Sequence, residues 1–160
     1  MGLRLPNQQT ANCFFITTSF SEHRRLGDIP EFYEKLADSI CFCLDKYKAQ
    51  IAAYVLMPTH LHLLIFLDGK HLASFMRDLK KYVAQKVAPD LGLLDSPLWE
   101  QRYDRVAIFS DDIFHTKLSY IHNNPVKADL SNQPEEWYWS SASDYMTDRV
   151  GLIPVWKNWV

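Results

Sequence analysis

The chain has 160 residues, 48% of them apolar and 22% charged, with 17 Lys and Arg against 19 Asp and Glu. That length suits one compact core, here 1–160 as a single domain, and the composition excludes disordered and low-complexity classes. The slightly acidic balance confines any nucleic-acid surface to a local patch, because DNA affinity grows with the number of phosphates neutralised. No apolar run reaches the roughly 18 residues of a membrane helix, and Met1 to Pro6 lack the apolar stretch of a signal peptide. Cys13, Cys41 and Cys43 are odd in number and lack a metal-ligand spacing. A reduced, cytoplasmic compartment is expected.

Asn12 to Thr18 is rich in β-branched and aromatic residues and predicts a strand. A polar loop, Ser21 to Asp28, follows. Pro30 and Glu31 suit the first turn of a helix, whose apolar stripe is Tyr33, Leu36, Ile40, Leu44 and Tyr47. Two strands come next, Ile51 to Met57 and His60 to Leu67, joined around Pro58. A second helix, Leu72 to Val87, is ended by Pro89 and Gly92. Gln101 to Phe109 predicts a fourth strand. Ser110, Asp111 and Asp112 read as the cap and first turn of a third helix, which runs through Tyr120 and stops near Pro125. The order β-α-β-β-α-β predicts an α+β, ferredoxin-like antiparallel sheet with two helices on one face. The additional helix and the aromatic extension 131–160 are available to cover the other face.

His60 and His62 stand two apart on a strand, so both project from one face. Two imidazoles so spaced can converge on a divalent ion, though histidines satisfied by backbone carbonyls give the same pattern. Tyr120 and Asn124 are four apart and share a helical face. An amide oxygen can complete a site with two imidazoles, and a neighbouring cation favours the phenolate of a tyrosine otherwise titrating near pH 10. Attack by that phenolate on a DNA phosphate leaves a covalent 5′-phosphotyrosine. A core-packed tyrosine in front of a turn at Asn123-Asn124-Pro125 is the simpler alternative.

Met57-Pro58-Thr59-His60-Leu61-His62-Leu63-Leu64, with Tyr120-Ile121-His122-Asn123-Asn124-Pro125-Val126-Lys127-Ala128 about sixty residues on, resembles the single-tyrosine HUH transposases. The resemblance is to the branch of REP-associated tyrosine transposases. Trp99-Glu100-Gln101-Arg102-Tyr103-Asp104-Arg105-Val106 and Trp139-Ser140-Ser141 extend it over about residues 11 to 145. It implies a ferredoxin-like nuclease that needs Mg²⁺ or Mn²⁺ and cleaves and rejoins single-stranded DNA near hairpins of short palindromic repeats. It implies His60 and His62 as metal ligands, Asn124 as the third metal-binding side chain and Tyr120 as the nucleophile. Thr59 replaces the usual asparagine, Asp129 the usual glycine, and Ala107-Ile108-Phe109 a stretch that often holds an arginine.

Basic grooves with stacking aromatics hold single-stranded DNA. Arg77, Lys80 and Lys81 form one candidate stripe, Arg102 and Arg105 a second, and His23, Arg24 and Arg25 a third. A DNA-binding module without turnover, and a metal-dependent phosphodiesterase that bypasses the tyrosine, are the competing functional readings. The resemblance leaves open both a monomer and a homodimer that exchanges the tyrosine helix.

Overall fold

The computed structural model describes residues 8–93 and 97–159. The N-terminal segment 1–6, read above for a signal peptide, lies outside the described residues. Strands β1 (Cys13–Ser19), β2 (Gln50–Leu56), β3 (His60–Phe66) and β4 (Asp104–Ala107) form one antiparallel sheet in the order β2-β3-β1-β4. Helix α1 (Phe32–Tyr47) joins β1 to β2, and α2 (Leu72–Tyr82) leads from β3 toward β4. This is the α+β architecture expected, with the strand order of a split β-α-β unit.

Strands β1 and β3 sit in the middle of the sheet and are apolar on both faces. Phe14, Ile16, Leu61, Leu63 and Ile65 pack against Phe32, Leu36 and Ile40 of α1 and against Phe75, Met76 and Leu79 of α2. Phe15 and Leu64 point the other way, together with Ala53 and Val55 of β2. A bulge between Ile51 and Ala53 lets β2 serve both faces. Each buried side chain of this size stabilises the fold by roughly 1.5–3 kcal/mol, so the second face needs a cover. Helix α4 (Asp111–Lys127) supplies it through Phe114 and Ile121, with Trp137 and Trp159 at the margins.

The rest of the tail does something the sequence did not suggest. Strand β2 lies at the sheet edge, and the tail caps that edge with backbone bonds. Leu56 donates to Trp139 (2.8 Å), Ser141 to Tyr54 (3.0 Å) and Trp156 to Ile51 (2.8 Å). An unpaired edge is thereby closed to other chains. Trp139 packs on Tyr33, on the face opposite α4.

Four boundaries differ from expectation. Helix α1 begins at Phe32, because Glu31 is left-handed (φ 68°) and serves as the cap residue. Strand β4 is only Asp104–Ala107, since Lys80 and Trp99 hold the preceding loop to α2, Lys80 donating to the Glu100 carbonyl and the Trp99 indole to the Lys80 carbonyl. Helix α2 continues past Tyr82 as a wide π turn (Val83–Val87) and a last turn, α3 (Ala88–Asp90), so Pro89 does not end it. A proline ring clashes with the carbonyl four residues back, and the widened turn before Pro89 relieves that clash. Gly92, at φ 72°, does end the segment. Helix α4 passes through Pro125 to Lys127, where a Schellman closure secures the last turn: Asp129 donates to Val126 (3.1 Å) and Leu130 to Pro125 (2.9 Å). Among the described residues no helix is long and apolar enough to cross a membrane.

That closure requires a left-handed residue, and Asp129 has φ 58°. A side chain in this conformation costs roughly 1 kcal/mol, which glycine avoids. Asp129→Gly is therefore expected to raise unfolding free energy by roughly 0.5–1 kcal/mol in urea titrations. An unchanged or lowered midpoint contradicts the conformational account of this position.

Candidate active site

The register of the sheet assembles the site. Ser19 pairs with His60 and Thr17 with His62, while on its other side Thr17 pairs with Asp104. His60 and His62 open β3 on the face covered by α4, and their ring centroids lie 4.8 Å apart. Helix α4 crosses this face so that Tyr120 stands edge-on to His62, with centroids 5.4 Å apart. Phe15 stacks on His62 at 5.3 Å and meets Tyr120 at 5.8 Å. Asn124, one helical turn beyond Tyr120, lies near enough to His60 to raise its pKa. The four residues singled out for chemistry, on two elements far apart in sequence, thus meet in one place.

The imidazoles are held by threonines. Thr17 Oγ1 lies 2.8 Å from His62 Nδ1, and Thr59 Oγ1 lies 2.9 Å from His60 Nδ1. His62 is buried (3% exposed), and its Nε2 has no hydrogen-bond partner among the described residues. Burial pushes the His62 pKa down to about 3, with the nearby His60 and Lys117 adding to the effect. His60 is also lowered, first by burial and then by His23, against the opposing effect of Asn124. Both rings are therefore neutral at pH 7, as metal ligands must be. Among the described residues no three of His, Cys, Asp and Glu come together to hold a metal. A cation site here would consist of two imidazoles and an amide oxygen. That donor set fits a divalent ion that keeps further positions for phosphate and water. Tyr120 remains 39% exposed beside the buried His62.

The cationic candidates separate. Arg105, which donates to Tyr103 (3.3 Å), and Lys80 lie close to the Tyr103 ring, so the two expected stripes join there. Lys80 is half-buried, and desolvation lowers its pKa. Its bond to the Glu100 carbonyl makes it a strut as well as a charge. Arg77 is tied to Asp78, which also accepts from Lys46 and Tyr47. Lys81 and Arg102 are exposed, Arg102 in the loop before β4 instead of on it. In the third stripe Arg25 pairs with Asp28, and Arg24 donates to the Pro97 carbonyl.

Sequence reasoning missed four contributors. Phe15 and Thr17 become visible only through strand register. Lys117 could have been found, since it precedes Tyr120 by three positions on the same helical face. The fourth is His122, which faces away from Tyr120. It bonds Ser141 Oγ at 2.8 Å, and Ser141 in turn engages the Tyr54 backbone. This bond ties the two motif segments together and fixes where α4 lies on the sheet.

A split β-α-β sheet with a histidine pair facing a tyrosine helix defines the class of protein. The family model of IS200-like transposases matches residues 16–124, and the chain belongs to that family. Several solved structures share its fold, among them two transposases. One is a REP-associated tyrosine transposase bound to a REP hairpin, 22% identical, with a TM-score of 0.72 over 92% of this chain and 87% of that one. The other is a candidate transposase from Deinococcus radiodurans R1, 19% identical, with a TM-score of 0.55 over 71% of this chain and 90% of that one. No curated protein matches the chain.

Burial pushes the His122 pKa down to about 4. The folded state thus resists a proton that the unfolded chain accepts below about pH 6.5. Stability is complete above that pH and is lost as pH falls toward 4, by up to about 1.4 kcal/mol per pH unit for this group. In urea titrations His122→Gln should weaken the protein at pH 7 yet reduce its further loss between pH 6.5 and 5. An equal loss in both proteins contradicts the assignment.

Proposed function

We propose that this protein cleaves and rejoins single-stranded DNA by transferring a DNA phosphate to Tyr120. His60, His62 and Asn124 would hold a divalent cation, Mg²⁺ or Mn²⁺. The observation that carries this reading is the buried, unpartnered Nε2 of His62 beside the exposed Tyr120. A buried polar atom without a partner is costly, and a ligand for that atom removes the cost. The fold neighbour in complex with a REP hairpin supports hairpins of palindromic repeats as the substrate. IS200-like membership supports the DNA chemistry.

When bound, the cation would polarise the phosphate and favour the phenolate. The chain's own residues supply the rest. With the proton on Nδ1, each imidazole donates to its threonine hydroxyl and turns Nε2 toward the site. Phe15 walls one side of His62 and Tyr120, keeping water from the ring faces. Tyr120 Oη attacks phosphorus, the bond to the 3′ oxygen breaks, and the phenolic proton is matched by the one taken up by the released 3′ hydroxyl. The phosphotyrosine conserves the bond energy, so a 3′ hydroxyl can reverse the step and rejoin DNA.

A labelled single-stranded hairpin incubated with Mn²⁺ should give a covalent protein–DNA adduct that disappears in Tyr120→Phe and with chelator. Cleavage that survives Tyr120→Phe would show a phosphodiesterase, and binding without cleavage would show a module lacking turnover. Thr17→Val should weaken Mn²⁺ binding by roughly 10- to 100-fold by calorimetry, while Thr17→Ser stays close to the parent. Equal affinities would remove Thr17 from the site.

A further inference from the structure

Three described lysines are half-buried: Lys35, Lys80 and Lys117. Lys35 pairs with Asp90, and Lys80 donates to the Glu100 carbonyl at 2.8 Å. Lys117 has no oxygen partner among the described residues. Its Nζ lies 4.6 Å from the centroid of the Phe15 ring, the ring that stacks on His62 and meets the edge of Tyr120. The same charge bears on His62. A half-buried ammonium with no ion pair among the described residues lacks a counter-anion. Cation–π contact with Phe15 offsets part of that deficit and holds the group against the ring that also borders His62 and Tyr120.

We propose that Lys117 binds a non-bridging oxygen of the phosphate that Tyr120 attacks. This rests on the tyrosine-transfer reading above and deepens it by assigning the anion-holding side chain. The helix accounts for the placement: Lys117, Tyr120 and Asn124 lie at steps of three and four on one face, so nucleophile, amide and ammonium are delivered together. Lys127 also approaches Tyr120, its Nζ 5.6 Å from the ring centroid. In the transfer the Tyr120 Oη–P bond forms and the P–O3′ bond breaks. The released oxygen gains one proton as the phenol loses one, so Lys117 keeps its own and acts by charge alone.

The test uses the full chain and three proteins: parent, Lys117→Met, which keeps the aliphatic contact with Phe15, and Lys117→Arg, which keeps the charge. Two readouts are taken on a labelled single-stranded hairpin: the single-turnover rate of adduct formation in Mn²⁺, and affinity across a salt series without metal. Lys117→Met should slow adduct formation on the order of 10- to 100-fold and flatten the salt dependence by roughly one phosphate contact, about 0.7 in log–log slope. Lys117→Arg should recover most of both. If the parent forms the adduct and Lys117→Met matches it in rate and slope, the assignment to Lys117 is overturned while the tyrosine reading stands. If no protein forms an adduct yet the slope falls in Lys117→Met, the anion site stands and the transfer chemistry fails. A parent that neither binds nor cleaves overturns both.

Discussion

A sheet whose central strands are apolar on both faces must be covered twice, and this molecule's chemistry depends on the second cover. Helices α1 and α2 close one face in the ordinary way of a split β-α-β fold. Helix α4 closes the other, driven by Phe114 and Ile121 against Phe15, Val55 and Leu64. Its position is then fixed by a polar contact, the buried His122–Ser141 bond. Burial decides that α4 packs on the sheet, and this bond helps decide where along the sheet it stops. Tyr120 and Asn124 arrive beside His60 and His62 as a consequence. A shift of one helical residue, roughly 1.5 Å, would spoil the match.

Burial and reactivity are coupled in the same residues. The environment that makes His62 costly to protonate also buries its Nε2 away from any protein partner among the described residues. Thr17 and Thr59 take up the opposite nitrogens, so the rings are oriented before any ligand arrives. Thr59 does this for His60 from the residue next to it in sequence. Asp129 bears on helix termination, since it occupies the left-handed position of the α4 closure.

Much of the fold was legible because its strongest signals are local. The alternation of β1 and β3, the stripe of α1 and the Ser110 cap of α4 each follow from the residues that form them. Ser110 Oγ indeed accepts from Ile113 at 3.3 Å. The ends of elements were harder to read, because tertiary contacts set them. Lys80 and Trp99 tie the 99–103 loop to α2 while Glu100 and Trp99 bond the end of β1, which leaves β4 short, and a π turn carries the chain through Pro89. The site was half legible. The two histidines share a face by strand period, and Tyr120, Asn124 and Lys117 share one by helical period. Thr17 and Phe15 belong to it through cross-strand register, which no local pattern contains. The tail aromatics were legible as buried mass, but their division between the open face and the β2 edge was not.

The central claim is spatial: one ion, held by β3 and α4, sits beside the Tyr120 ring. It can be measured without DNA or turnover. With 3-fluorotyrosine in place of tyrosine and the Tyr120 signal assigned by its loss in Tyr120→Phe, fluorine NMR compares protein saturated with Mg²⁺ and with Mn²⁺. The account predicts that the Tyr120 resonance is sharp with Mg²⁺ and broadened beyond detection with Mn²⁺, and that His62→Ala restores it. A Tyr120 resonance that stays sharp at saturating Mn²⁺ would contradict it.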